Sequence, residues 1–145
     1  MYKKVFVNGT FDLLHRGHIE LLNYAKHLGE DLLHEPLGVS NYVCVGIDTD
    51  DRVRQMKGPT RPIYNQNERK FFLENLKSVD EVGFFSNDEG LEGLGKCGKP
   101  DIMIVGSDWK DKSVIGSYYA SELIFFDRIE DYATTKTIQD IINRG

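Results

Sequence analysis

Apolar positions along this chain follow two rhythms that alternate throughout. Short apolar or β-branched runs occur at Val5-Phe6-Val7 and at residues 42–47, 79–85, 101–105 and 123–126. Such runs, bounded by polar or glycine-bearing stretches, predict strands. The run Asp101-Ile102-Met103-Ile104-Val105 is nearly all apolar, as a parallel strand buried on both faces should be. Between the runs, apolar residues recur at intervals of three and four. Ile19, Leu21, Leu22 and Ala25 mark a first helix, with Gly29 as its natural stop. Asp48-Thr49-Asp50 offers caps for a second. Residues 67–76 predict a third, and a last helix begins near Thr134 or Thr135 and runs through Ile138, Ile141 and Ile142.

Strand alternating with helix implies βαβ units. The expected fold is a single domain over residues 1–145: an α/β, Rossmann-like, doubly wound parallel sheet of about five strands with helices on both faces. Ligands of such sheets bind beyond the carboxyl ends of the strands, near the point where strand order reverses. The segments that follow strands here carry Gly9-Thr10-Phe11-Asp12, Gly106-Ser107-Asp108-Trp109, and the stretch from Arg128 onward. Residues 31–41 lengthen the connection into the second strand, and Pro36, Gly38 and Asn41 mark it as a loop.

Composition narrows the classes. With 40% hydrophobic and 28% charged residues in 145, the chain can bury a core. A net charge of −5 argues against a broad nucleic-acid surface while leaving room for a local phosphate pocket. Cys44 and Cys97 are too few for a disulfide framework, so a reducing, cytoplasmic compartment is expected. The apolar part of the N-terminus is too short for a signal peptide, and no stretch has the length of a membrane span.

The most informative segment is Asn8-Gly9-Thr10-Phe11-Asp12-Leu13-Leu14-His15-Arg16-Gly17-His18. Two histidines three apart flank a glycine after a strand and at the start of a helix. The helix N-terminus offers free N–H groups and partial positive charge. Gly17 permits close approach, and each histidine can present a neutral or protonated nitrogen to a phosphate oxygen. Solvated helix-start histidines are the plainer alternative. Zinc would need further ligands, and the other histidines, His27 and His34, do not follow strands.

Residues 9–18 resemble the signature of the cytidylyltransferase-like nucleotidyltransferases, whose hallmark is His-x-Gly-His, with Gly-Thr-Phe-Asp in the matching register before it. Residues 128–135 are similar to that family's second signature, Arg-Thr-Glu-Gly-Ile-Ser-Thr-Thr, with Asp131 in place of glycine and Ala133 in place of serine. The resemblance implies catalytic roles for His15, His18, Lys57 and Arg128. It implies nucleotide contacts from Gly9, Thr10, Phe11, Asp12, Gly17, Arg69, Gly106, Asp108, Trp109, Ala133, Thr134 and Thr135. Thr134 or Thr135 is expected to cap the last helix, whose N-terminus would face a phosphate. The implied reaction joins a nucleoside monophosphate to a small phosphorylated acceptor and releases pyrophosphate, with magnesium held mainly by the nucleotide phosphates and Asp12 as a candidate to help hold the ion or orient a histidine.

Two subfamilies compete. Glycerol-3-phosphate cytidylyltransferases resemble the chain at Arg128 and at residues 106–109, close to their Gly-Asp-Asp-Trp. Adenylyltransferases that activate heptose 1-phosphate resemble it at residues 57–62, at Glu68-Arg69 and at Val114-Ile115-Gly116-Ser117. The sequence weighs toward CTP and glycerol 3-phosphate, with ATP and a sugar 1-phosphate as the alternative. A non-catalytic nucleotide-binding protein and a zinc-dependent hydrolase are the rival classes. A homodimer is expected from the resemblance, and the charge and the lack of a membrane-length stretch lead to no expected nucleic-acid or membrane partner.

Overall fold

The computed structural model describes residues 3–28, 40–129 and 132–145. Five strands, β1 (Lys4–Gly9), β2 (Tyr42–Asp48), β3 (Glu81–Phe85), β4 (Ile102–Gly106) and β5 (Glu122–Phe126), form one sheet in the order β3-β2-β1-β4-β5. All neighbouring pairs are parallel, and β1 lies at the centre with Val5 opposite both Val43 and Ile102. Alternate side chains leave the sheet on opposite faces, and both faces are covered. Val5, Val7, Val45, Ile47 and Ile104 pack with Leu22, Ala25 and Leu73, whereas Phe6, Met103 and Val105 pack with Leu91. Burial on both sides explains why β4 reads as an unbroken apolar run.

The helices are α1 (Arg16–His27), α2 (Asp50–Lys57), α3 (Gln66–Glu74), α4 (Asp88–Gly98) and α5 (Thr134–Arg144). Thr49 caps α2 as its position before Asp50 suggested, its hydroxyl accepting from the Arg52 N–H. Helix α1 closes at His27, and Gly29, the expected stop, lies outside the described residues, as does nearly all of the 31–41 loop. Asn41, at its return, donates to the carbonyls of Ala25 and Leu28 and so ties the end of α1 to the entry of β2.

Sequence periodicity did not reveal α4. Four of its eleven residues are glycine, each costing about 0.5–1 kcal/mol in a helix relative to alanine. The helix forms through its ends and its packing: the Asn87 side chain accepts from the Gly90 N–H at 2.7 Å, and Leu91 is buried. Gly95 lies against the backbone of Gly116, where an added Cβ would meet main-chain atoms at 3.3 Å. A side chain at that crossing would force the helix and the turn at Gly116 apart.

The strand order reverses at β1, between β2 and β4. Among the described residues no helix is long and apolar enough to cross a membrane.

Candidate active site

Beyond β1 the chain turns sharply before α1. Phe11 (φ 52°) and Leu13 (φ 49°) take left-handed backbone, uncommon for bulky residues and sustained only where the surroundings over-determine it. Phe11 is buried beneath His18, ring centroids 5.2 Å apart. Gly9 must lack a side chain because a Cβ there would come within 3.0 Å of the Phe11 ring. Asp12 is 1% exposed and holds the turn to two other segments. Its carboxylate accepts from the N–H groups of Ile63 (2.6 Å) and Tyr64 (3.0 Å), and its carbonyl accepts from the Thr134 hydroxyl.

His15 is the N-cap of α1. Its Nδ1 accepts from the Gly17 N–H at 3.0 Å, and the Nδ1 of His18 accepts from the His15 N–H at 3.2 Å. A ring nitrogen that accepts from a backbone N–H carries no proton, so in each neutral ring the proton sits on Nε2. The rings stack with centroids 3.8 Å apart. Burial, reinforced by His15 and Lys57, pushes the His18 pKa down to about 3. Burial and then Arg128 lower that of His15. Near pH 7 both rings are therefore neutral donors through Nε2–H. Gly17 makes this possible: a Cβ there would stand 2.9 Å from His15 Cε1 and 3.2 Å from the Cβ of Tyr132.

His15, Gly17 and His18 share a cleft of about 190 Å³ with Gly106, Asp108, Arg128 and Ala133. All seven were singled out from sequence. The apolar walls, Leu21, Phe126, Ile129 and Tyr132, were not. Tyr132 lies nearly parallel to His15, with ring centroids 6.0 Å apart. It stands where the second signature has isoleucine, a departure that could have flagged it. Helix α5 begins at this cleft with Ala133 as N-cap and no side-chain cap bond, so its first N–H groups are left for an anion. The expected threonine cap is thus corrected: the Thr134 hydroxyl is committed to the Asp12 carbonyl, and Thr135 is exposed.

Gly9, Thr10, Gly106 and Trp109 border a second, adjoining cleft of about 220 Å³, with Asn8, Asp48 and Arg52. Gly106 lines both clefts, and it ends the strand next to β1, where the order reverses. Asp48, read from sequence only as a helix cap, is buried and accepts from the Thr10 hydroxyl (3.2 Å) and Arg52 Nε (2.9 Å). A wider cavity of about 320 Å³ opens at the opposite edge, beside Lys4 and Glu81 at the amino-terminal ends of the strands. That is the wrong end of a parallel sheet for a substrate site.

Of the residues the resemblance assigned to the nucleotide, Phe11, Asp12, Arg69, Thr134 and Thr135 line neither cleft. Arg69 does not reach a cleft. It is fully buried, and its guanidinium donates to the carbonyls of Tyr64 (3.0 Å), Thr10 (2.9 Å) and Asp48 (2.8 Å) and to the Asp50 carboxylate (2.9 Å). It braces the loops that carry the site. Asp12 likewise has both oxygens engaged by backbone N–H groups, which corrects its expected part in holding an ion. Lys57, at the end of α2, is exposed. Desolvation, and next the Arg61 guanidinium, lower its pKa, and its charge reaches His18.

Comparison with known proteins identifies the family. Residues 6–138 match the family model described as cytidylyltransferase-like. The bifunctional protein HldE of Helicobacter hepaticus is 40% identical over 96% of this chain, and that of Sulfurimonas denitrificans 41% identical over 96%. The matched region is 26% and 27% of those relatives, so the chain spans about a quarter of their length. The lipopolysaccharide core biosynthesis protein of Thermoplasma volcanium shares the fold with a TM-score of 0.61 and 25% identity, over 90% of this chain and 98% of that one. The chain belongs to the cytidylyltransferase-like family of nucleotidyltransferases.

Proposed function

We propose that the chain transfers the adenylyl group of ATP to a sugar 1-phosphate of the heptose type, releasing pyrophosphate. The observation that carries transfer chemistry is the histidine pair: two neutral Nε2–H donors, locked by backbone N–H groups on Nδ1, in a cleft beside Arg128 and the uncapped start of α5. Nucleotidyl transfer asks a protein mainly for positioning and charge stabilisation. An oxygen of the acceptor phosphate bonds to the α-phosphorus, and the bond from that phosphorus to the bridging oxygen breaks. Pyrophosphate leaves with the electron pair. His15, His18 and Arg128 stabilise the charge on the α-phosphate oxygens as it builds.

Two adjoining clefts suit two substrates. ATP and a sugar phosphate are preferred over CTP and glycerol 3-phosphate because the relatives are named HldE and because residues 57–62 and 114–117 resemble the heptose 1-phosphate adenylyltransferases. Magnesium would enter with the nucleotide and neutralise its phosphates. Phe71, Phe72 and Ile141 leave exposed apolar surface that a homodimer would cover, which sedimentation would test.

The decisive assay crosses ATP and CTP with heptose 1-phosphate and glycerol 3-phosphate in the presence of magnesium. Pyrophosphate release with ATP and heptose 1-phosphate is expected, falling at least about a hundredfold in His18→Ala, as when a donor to a transition-state oxyanion is lost. Release with CTP and glycerol 3-phosphate instead would return the reading to cytidylyl transfer. Nucleotide binding without release from any pair would mark a non-catalytic binding protein.

A further inference from the structure

Arg61 lies in the turn between α2 and α3, its side chain about 10% exposed. Two of its nitrogens, Nε and Nη2, are buried with no hydrogen-bond partner. Their N–H groups form one edge of the guanidinium, the fork that grips two oxygens of a phosphate or carboxylate side by side. The nearest acid does not use it. Asp12 Oδ2 stands 3.7 Å from Nε, within reach of an ion pair but beyond a hydrogen bond, and both Asp12 oxygens already accept from Ile63 and Tyr64. Arg69, eight residues on, shows the contrast: Nε, Nη1 and Nη2 are all bonded within the protein.

A buried guanidinium edge without a partner is costly, and such a group calls for one. Its surroundings name the partner's sign. Lys57 stands close enough to feel the Arg61 charge, and Lys57 and Arg128 both act on His18. Asp12 and Asp48 act on Lys57 in the opposite sense, but Asp12 already accepts from two backbone N–H groups and Asp48 from Thr10 and Arg52, so the cations still favour an anion among them.

We propose that the Nε/Nη2 edge of Arg61, with Lys57 beside it, clamps two non-bridging oxygens of a substrate phosphate other than the one held by the histidines. The clamp rests on the transfer reading for the origin of its phosphate, but not for anion binding as such. Two sources share the chemistry: the outer phosphates of the nucleotide and the phosphate of the acceptor.

Calorimetric titration with inorganic tripolyphosphate and, separately, with heptose 1-phosphate distinguishes them in wild type, Arg61→Gln and Arg61→Lys. Arg61→Gln should weaken at least one anion by about 10- to 100-fold, the usual loss of a charge-assisted pair of bonds. A loss confined to tripolyphosphate assigns the clamp to the nucleotide, and one confined to heptose 1-phosphate assigns it to the acceptor. Arg61→Lys keeps the charge toward Asp12 and removes the fork. It should melt within about 3 °C of wild type yet still bind at least about fivefold more weakly. Wild-type affinity in Arg61→Lys would overturn the clamp, because a residue that merely balances Asp12 would tolerate lysine. Failure of wild type to bind either anion would overturn it as well. These titrations need no turnover, so absence of pyrophosphate release from every substrate pair would sink the transfer reading without touching the clamp.

Discussion

Replacing Arg69 by methionine keeps an unbranched side chain of similar length while deleting the guanidinium. The carbonyls of Tyr64, Thr10 and Asp48 then lose their donor, and Asp50 loses its ion partner. Removing one member of a buried charged network costs about 3–5 kcal/mol, because the groups left behind are desolvated and unpaired. Asp50 retains 22% exposure and can rehydrate, which favours the lower half of that range. At about 2–4 °C per kcal/mol for a chain near this size, the melting temperature should fall by roughly 10 °C. Circular dichroism melts would measure this, alongside the nucleotide KM well below the transition. A brace predicts a large loss of stability with KM changed only a few-fold in molecules that remain folded. A melting temperature within about 3 °C of wild type, joined to a KM raised more than about tenfold, would refute the reasoning and restore Arg69 as a phosphate ligand.

Two further substitutions or conditions probe the histidines. Gly17→Ala gains helix propensity, worth about 1 kcal/mol in an open helix, but its methyl would sit 2.9 Å from His15 Cε1. The ring must swing away and give up its bond from the Gly17 N–H, so melting should shift by only a few degrees while kcat falls about a hundredfold. Retention of kcat within about threefold would show that the position of His15 does not matter. The depressed histidine pKa values also predict the acid limb of stability. A histidine that protonates near pH 6.5 when unfolded, but near 3 when folded, gives stability fully present above pH 6.5 and lost as pH falls toward 3. The slope is at most about 1.4 kcal/mol per pH unit for His18. His18→Gln should flatten it in urea melts, and an unchanged slope would show that His18 titrates normally. Wild-type kcat should likewise show no His18 limb between pH 6 and 8, where that ring stays neutral.

Periodicity exposed five strands and four of the five helices because their side chains answer to burial alone. Val5 and Val7 face one layer and Phe6 the other, and that alternation needs no partner to be read. Helix α4 escaped for the opposite reason. Its glycines suit contacts made from outside the segment, above all Gly95 against Gly116, and a close approach between distant residues leaves no local trace. The ends of elements were less legible than their middles: β1 runs to Gly9, past its apolar run, because Asn8 and Gly9 still pair with Gly46 and Ile47.

The site divides along the same line. His15, Gly17 and His18 were legible because their geometry is local: the cap and the tautomer lock lie within four residues of chain. Arg61 and Arg69 were not, since both are arginines flanking the same turn and differ only in what the fold brings to them. Three carbonyls, contributed by β2 and by the turns after β1 and before α3, converge on Arg69. Arg61 meets a carboxylate whose oxygens are already engaged. A charge becomes a brace or a ligand according to how many acceptors remain when it is buried. That count is a property of tertiary structure, and it moves the search for a phosphate-gripping arginine eight residues upstream of where resemblance had put it.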